Sequence, residues 1–365
     1  MNAAPDGTRG IAAPDGTRVN AARRGTHLGA RRIAIPAAVA VAAVALPWFV
    51  DNPGRLNVAI LVLMMAQAGV AWNILGGYAG QVSLGHAAFY GIGAYTSTVL
   101  LMSFGLSPWL GMLAGGCLAA VFAIGIGFAC FRLRGHYFAM ATIAVAEILQ
   151  IVVTNTEVLG GAVGFNLPMK EHGVWGFVFN HSKLPYYYIA LALLALTLAV
   201  SWLIRRSYLG YYFRAIRDEP DAARSVGIDI RRYKLVAIAA SSFLTALGGS
   251  FYAQKELYID PGSTLSTSIS IKIALVAILG GVSTLSGPVL GALVLTVIEE
   301  TTRTMFGGSG RGTDLIIYGG LIVIVAVFYP GGLVGAWERL RQRGGPGAPP
   351  APMASADPGS AESRA

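Results

Sequence analysis

Charge is what this sequence has least of. Only 12% of its 365 residues are Asp, Glu, Lys or Arg, while 55% are hydrophobic. A soluble domain carries about 25% charged residues, so this chain has too little charge to cover a water-exposed surface of its size. Cysteine is nearly absent as well. Cys117 and Cys130 share one apolar run, 13 residues apart, which is about 20 Å along a helix axis. No disulfide spans that distance, no metal-ligand spacing is present, and both read as small packing residues. The five histidines are scattered, with no His-Glu-x-x-His on a helix and no Gly-x-Ser-x-Gly elbow. Ser83 and His86 are close in sequence, but no carboxylate lies near them to complete a relay. No catalytic residue and no metal ligand is assigned. A phosphate-cradling Gly-x-x-x-x-Gly-Lys-Ser/Thr loop is missing too, since the glycine-rich run 307–312 lacks the lysine.

What is present is apolar length. Stretches long enough to cross a bilayer recur near 33–50, 57–75, 87–104, 109–130, 138–155, 186–204 and 234–253, with a last one at 314–330. Many of the 47 glycines sit inside these runs, where small residues let helix backbones approach closely. The fold class is all-α, polytopic membrane protein. The formal charge of +9 is spread over short segments between apolar runs instead of one soluble face, which excludes nucleic-acid binding and fits membrane topology.

The apolar region 265–300 is broken by Gly-Gly-Val-Ser-Thr-Leu-Ser-Gly-Pro at 280–288. Read as one span, it puts the two chain ends on opposite sides and Arg339, Arg341 and Arg343 outside. Read as a hairpin with a cytoplasmic turn and short, tilted or re-entrant helices, it gives about ten spans with both ends inside. Cytoplasmic segments then hold 20 of the 27 basic residues and outer segments six, with Lys272 in the membrane. The positive-inside rule favours the second reading. Residues 1–32 repeat the heptapeptide Ala-Ala-Pro-Asp-Gly-Thr-Arg at 3–9 and 12–18, cannot form a core, and are expected to be a disordered cytoplasmic extension. Arg23-Arg24 before an apolar run has the look of a twin-arginine export signal, but the many later spans favour an uncleaved first helix. The expected domain plan is a permease domain over 33–332 and a disordered cytoplasmic tail over 333–365.

The segment 205–233 is the one sizeable cytoplasmic loop expected between spans, and through Lys234 it holds eight basic and four acidic residues. Asp218 and Glu219 precede Pro220, a helix-start arrangement, and Gly227 is a natural stop. A small-faced helix here suits docking into a groove of a soluble partner; a basic amphipathic loop lying on anionic lipid is the other reading. Gly80, Gln81, Ser83 and Gly85 belong to a block, 76–93, dense enough in glycine for a broken helix or very close packing. Irregular backbone in a membrane is tolerated only beside protein or a watery cavity. The block therefore reads either as helix packing or as amides and side chains that contact a zwitterionic amino acid. Tyr78, Tyr90 and Tyr95 read as packing or interfacial aromatics. Glu147, Gln150 and Thr154 fall on one stripe of a helix, as a pore-lining contact or as an inter-helix anchor. Lys272 either snorkels outward or pairs with Glu147.

Asp221-Ala222-Ala223-Arg224-Ser225-Val226-Gly227 is similar to the Glu-Ala-Ala-x-x-x-Gly loop of ABC importer permeases, with Asp for Glu and the later part absent. The run Asn-Ile-Leu-Gly-Gly-Tyr-Ala-Gly-Gln-Val-Ser-Leu-Gly-His-Ala-Ala-Phe-Tyr-Gly-Ile-Gly-Ala-Tyr at 73–95 resembles the signature of branched-chain amino acid ABC transporter permeases. Blocks at 132–147, 207–253 and 279–292 resemble further parts of that family, and the likeness covers 56–332 in the arrangement of the longer of its two paired permeases. Leu159 before Gly160-Gly161, and Tyr211-Tyr212 at the start of the coupling loop, depart from the family pattern. They bear on the outer loop and on substrate choice.

The resemblance implies a transporter subunit of the bacterial inner membrane, not an enzyme. A second, distinct permease would complete the pore. Two separate ATPase subunits, holding ATP and magnesium, would dock at Asp221, Ala222, Ala223 and Gly227, and an extracytoplasmic binding protein would deliver the amino acid. This chain would hold no cofactor itself. Urea or short amides are the alternative substrates within that family, and a proton-coupled transporter acting alone through Glu147 is the alternative of another class.

Overall fold

The computed structural model describes residues 41–49, 52–133, 135–168, 173–179, 182–305, 320 and 332–335. The duplicated heptapeptide, His172 and His181, and nearly all of the expected 314–330 span and the C-terminal tail lie outside these residues. Helix α1 is described over 41–49. Then follow α2 (Pro53–Asn73), a π-helical turn (Ile74–Tyr78), α3 (His86–Phe104), α4 (Pro108–Cys130), α5 (His136–Thr154), the short α6 (Gly173–Gly176) and α7 (Leu184–Arg206). Next come α8 (Tyr208–Asp218), α9 (Pro220–Ser225), α10 (Ile230–Glu256), the single turn α11 (Pro261–Thr264), α12 (Thr267–Gly280) and α13 (Gly287–Met305). Among the described residues, seven helices are long and apolar enough to cross a membrane. The 19-residue α13 is of similar length but carries Glu299, Glu300 and Arg303.

Helix ends follow local chemistry. Proline opens α2, α4, α7, α9 and α11 at the first or second position, where its missing N–H costs nothing. Asn52 caps α2 through Gly54 N at 2.8 Å, and Asp260 with Ser263 forms a reciprocal capping box on α11. The interruption expected at 280–288 is the turn between α12 and α13, residues 281–286.

Helix α10 is the centre of the bundle. It packs on α3, α4 and α2, while α2 also packs on α7, α12 and α13. Glycines make the closest of these approaches: a side chain at Gly93 would overlap the Ala246 carbonyl, and one at Gly249 the Tyr90 carbonyl. The glycines therefore act as the apolar composition required, as gaps that let backbones touch. Polar side chains in this core bond to neighbouring backbone. Gln67 donates to Leu244 O at 2.8 Å and Ser250 to Gly93 O at 2.8 Å. Tyr78, Tyr90 and Tyr95 are all buried. Cys130 is buried too, whereas Cys117 is exposed and so is not the packing residue its apolar run suggested.

The bundle has two unlike ends. At one, the C-termini of α4 and α7, helices α8 and α9 and the start of α10 gather the basic residues. Arg231 stacks on Phe128 at 3.6 Å and donates to its carbonyl at 3.0 Å, and Arg206 stacks on Trp202 at 4.2 Å. At the other end, β1 (Phe165–Asn166) pairs antiparallel with β2 (Tyr258–Ile259), tying the segment that follows α5 to the end of α10.

Candidate functional site

The glycine-rich block is a broken helix. Helix α2 runs into the π-helical turn, the chain is irregular over 79–85, and α3 restarts at His86. A π-turn offsets the ladder, so carbonyls near it need other donors. Ser83 and Gly85 are buried here, while Gly80 and Gln81 are half-buried. Ser83 lies in a closed network. Its carbonyl accepts from Trp72 Nε1 at 2.7 Å, and its hydroxyl is 3.2 Å from His86 Nδ1 and 3.3 Å from Gly85 N. His86 Nε2 lies 2.9 Å from Ser241 Oγ, whose own proton goes to Ala71 O at 2.7 Å. Ser241 therefore accepts from His86, which makes Nε2 the protonated nitrogen and leaves Nδ1 to accept from Ser83. Every polar group in that chain is used internally. The Gln81 side chain reaches the Ala79 carbonyl at 3.4 Å.

The break sits at the basic end, against two other segments. Asn73 clamps the 281–286 turn, accepting from Ser283 N at 2.9 Å and donating to Thr284 O at 2.8 Å. Ser283 Oγ donates to Gly77 O at 2.7 Å. Arg217 of α8 donates to Ser283 Oγ at 2.6 Å and to Gly77 O at 3.3 Å. Neither Asn73, Arg217 nor Ser283 stood out as a site residue in the sequence. All three flank motifs that did, but the bonds join positions 66 to 211 residues apart, beyond any spacing rule.

Next along the chain, α8 turns its buried Gly210, Phe213 and Ile216 inward. Helix α9 is one and a half turns long and closes at Gly227, whose φ of +87° suits glycine. Its faces differ. Asp221, Ala222, Arg224, Val226 and Gly227 are exposed, whereas Ala223 is buried at 4% exposure. Of the four residues expected to meet an ATPase, Ala223 thus faces the chain's own core and the other three face out. Tyr211, one of the two departures at the start of this loop, is 63% exposed and carries Arg214 over its ring at 4.8 Å.

Glu147 and Gln150 lie elsewhere. Both are half-buried on α5, which packs least into the bundle and exposes Met140, Ile148 and Ile151. The Glu147 carboxylate accepts a hydrogen bond from Thr267 at the start of α12. Lys272 does not pair with Glu147. It forms an ion pair with Glu299 of α13, donating to Oε1 at 2.6 Å, because α12 and α13 pack as a hairpin. One link joins α5 to the break: Leu84 N donates to Thr142 Oγ1 at 3.1 Å. An apolar cleft of about 330 Å³ opens between α3, α4 and α5, lined by Gly91, Tyr95, Leu118, Leu149 and Leu265.

Comparison with known proteins fits this architecture. Residues 54–326 match the family described as branched-chain amino acid transport system / permease component. The high-affinity branched-chain amino acid transport system permease protein LivM of Escherichia coli is 31% identical over 319 residues, covering 81% of this chain and 73% of LivM. The corresponding LivH of Escherichia coli is 25% identical, covering 74% of this chain and 90% of LivH. BraD of Pseudomonas aeruginosa, another such permease protein, is 25% identical over 74% of this chain and 91% of its own length. No solved structure gives a significant match. A polytopic helical bundle with a broken, glycine-rich second helix, matched over three quarters of its length by one family, belongs to the permease components of branched-chain amino acid transport systems.

Proposed function

We propose that this chain is the membrane-spanning permease subunit of an ATP-driven importer that carries branched-chain or other hydrophobic amino acids across the bacterial inner membrane. The observation that carries the reading is α9. It is a short helix exposed on three of its motif positions, held from behind by buried Ala223 and closed at Gly227. The reading puts the basic end in the cytoplasm, with about ten spans and both chain ends inside, as the positive-inside rule favours. Two ATPase subunits, holding ATP and magnesium, dock on the outward face of α9 at Asp221, Ala222 and Gly227. A second permease related to this one completes the pore, since relatives named LivM and LivH are both permease proteins of such systems. A binding protein delivers the solute from the far side.

Closure of the ATPase pair moves α9, and the movement alternates access to the pore. Gln81 at the irregular 79–85 segment, and Glu147 and Gln150 on α5, are half-buried and are the polar groups this proposal assigns to the pathway. Ser83, by contrast, holds the break in shape.

The test is leucine uptake into liposomes holding the complete complex. Uptake that needs ATP, the ATPases and the binding protein is the expected result. Uptake by the isolated chain driven by a proton gradient would overturn the reading in favour of a secondary transporter.

A further inference from the structure

Arg217 is unlike the other arginines of the basic end. Its fork serves three partners at once. Nη1 bonds Ser283 Oγ and Gly77 O, while Asp218 Oδ1 takes Nε at 2.9 Å and Nη2 at 2.8 Å. The acceptors it reaches belong to two irregular segments. Gly77 O lies within the π-helical turn that ends α2. Ser283 follows the last turn of α12 and holds a φ of +67°, which a non-glycine residue adopts only under constraint. The constraint is visible: Asn73 Oδ1 takes the Ser283 N–H, and the Ser283 hydroxyl donates to Gly77 O.

Gly80, at φ +68°, lays the broken segment along the stem of Arg217, and a side chain there would sit 2.5 Å from Arg217 Cγ. On the other side, Arg217 lies three residues before α9. The joint between the helices is tight, with Glu219 N bonded to Ala215 O at 3.1 Å and Ala223 N to Glu219 O at 3.0 Å.

We propose that Arg217 is the positioning residue that links α9 to the π-helical turn leading into the 79–85 break and to the 281–286 turn, so that a displacement of α9 reaches the ends of α2 and α12 together. The inference rests on α9 as the ATPase-docking helix. A lysine cannot do the same work. Its single ammonium cannot serve Ser283, Gly77 and Asp218 with the geometry of a planar fork. Ser283 is the second half of the link, because it passes the Arg217 contact to Gly77 and fixes the turn.

The test uses the complete, reconstituted transporter and reads leucine taken up per ATP hydrolysed, alongside the amount of ATPase that co-purifies. Arg217→Met should lower uptake per ATP about tenfold or more, the scale of losing charge-assisted hydrogen bonds, with ATPase retained at the normal level. Arg217→Lys should fall nearer to Arg217→Met than to the unaltered chain. Ser283→Ala should lower the ratio less, and the double variant should be no worse than Arg217→Met alone, as expected of residues acting as one unit. An unchanged ratio in both single variants overturns the proposal, as does a double variant whose losses multiply. If Arg217→Met does not assemble, Ser283→Ala, which removes one hydroxyl, decides the matter by its ratio. An unaltered chain that retains no ATPase overturns the docking reading itself, and is told apart from failure of the link because no variant is needed to see it.

Discussion

His86 shows how a residue with the look of chemistry serves structure. Its two nitrogens join Ser83 of the broken segment to Ser241 of the central helix α10, and Ser241 passes the chain on to Ala71 O. His86→Ala would take one partner from each of two buried hydroxyls, at about 1–3 kcal/mol for lost partners. The expected outcome is a lower melting point and lower yield in detergent, with uptake per folded molecule kept; loss of uptake at normal stability would give His86 a direct role in transport. Gly227 isolates a different effect. Nothing lies within 4 Å of a side chain added there, so Gly227→Ala meets only the cost of a positive φ, about 1 kcal/mol. Hydrogen exchange in residues 220–229 should rise about fivefold, and no change would mean that the turn simply relaxes.

At the scale of the element, α9 separates two adjacent alanines. Ala222 is exposed and Ala223 is buried, because neighbours on a helix point about 100° apart and one side of α9 is packed. Ala222→Arg should leave yield intact and lower co-purified ATPase about tenfold, the scale of spoiling an interface anchor; normal retention would move the docking surface elsewhere. Ala223→Asp instead buries an unpaired charge and should reduce the folded protein itself. Helix α5 allows a similar separation of charge from hydrogen bonding. Glu147 accepts from Thr267, and an amide oxygen can accept as well. Glu147→Gln therefore keeps a purely structural bond while removing the charge. Uptake should fall more than expression, and unaltered uptake would leave Glu147 as an anchor between α5 and α12.

At the scale of the whole molecule, the two ends of the bundle carry the functional asymmetry. The basic end collects the irregular backbone: the break at 79–85, the turn at 281–286 and helices α8 and α9. Arg217 bonds Gly77 of the π-helical turn and Ser283 of the 281–286 turn, so that turn lies on the same side as α9. A cysteine placed at Ser286 should react with a membrane-impermeant reagent from the cytoplasmic side alone, and labelling from the outer side would refute the ten-span plan. The opposite end is tied differently, by the short β1–β2 pairing; the proposed orientation, which follows the distribution of basic residues, puts this end outside.

The amino-acid sequence by itself determined the apolar lengths, the helix ends at proline and glycine, the broken block at 76–93, the turn inside 265–300 and the family. These are local or cumulative properties: hydrophobic length sets a span, and a glycine or proline acts on its own turn. The tertiary structure alone decided the partners. It set Lys272 against Glu299 and not Glu147, turned Ala223 inward and Ala222 outward, and brought Asn73, Gly77, Arg217 and Ser283 to one point. Periodicity says which residues share a face of one helix. Which face meets which neighbour follows from how the glycine-notched helices pack, and that has no signature within any single segment.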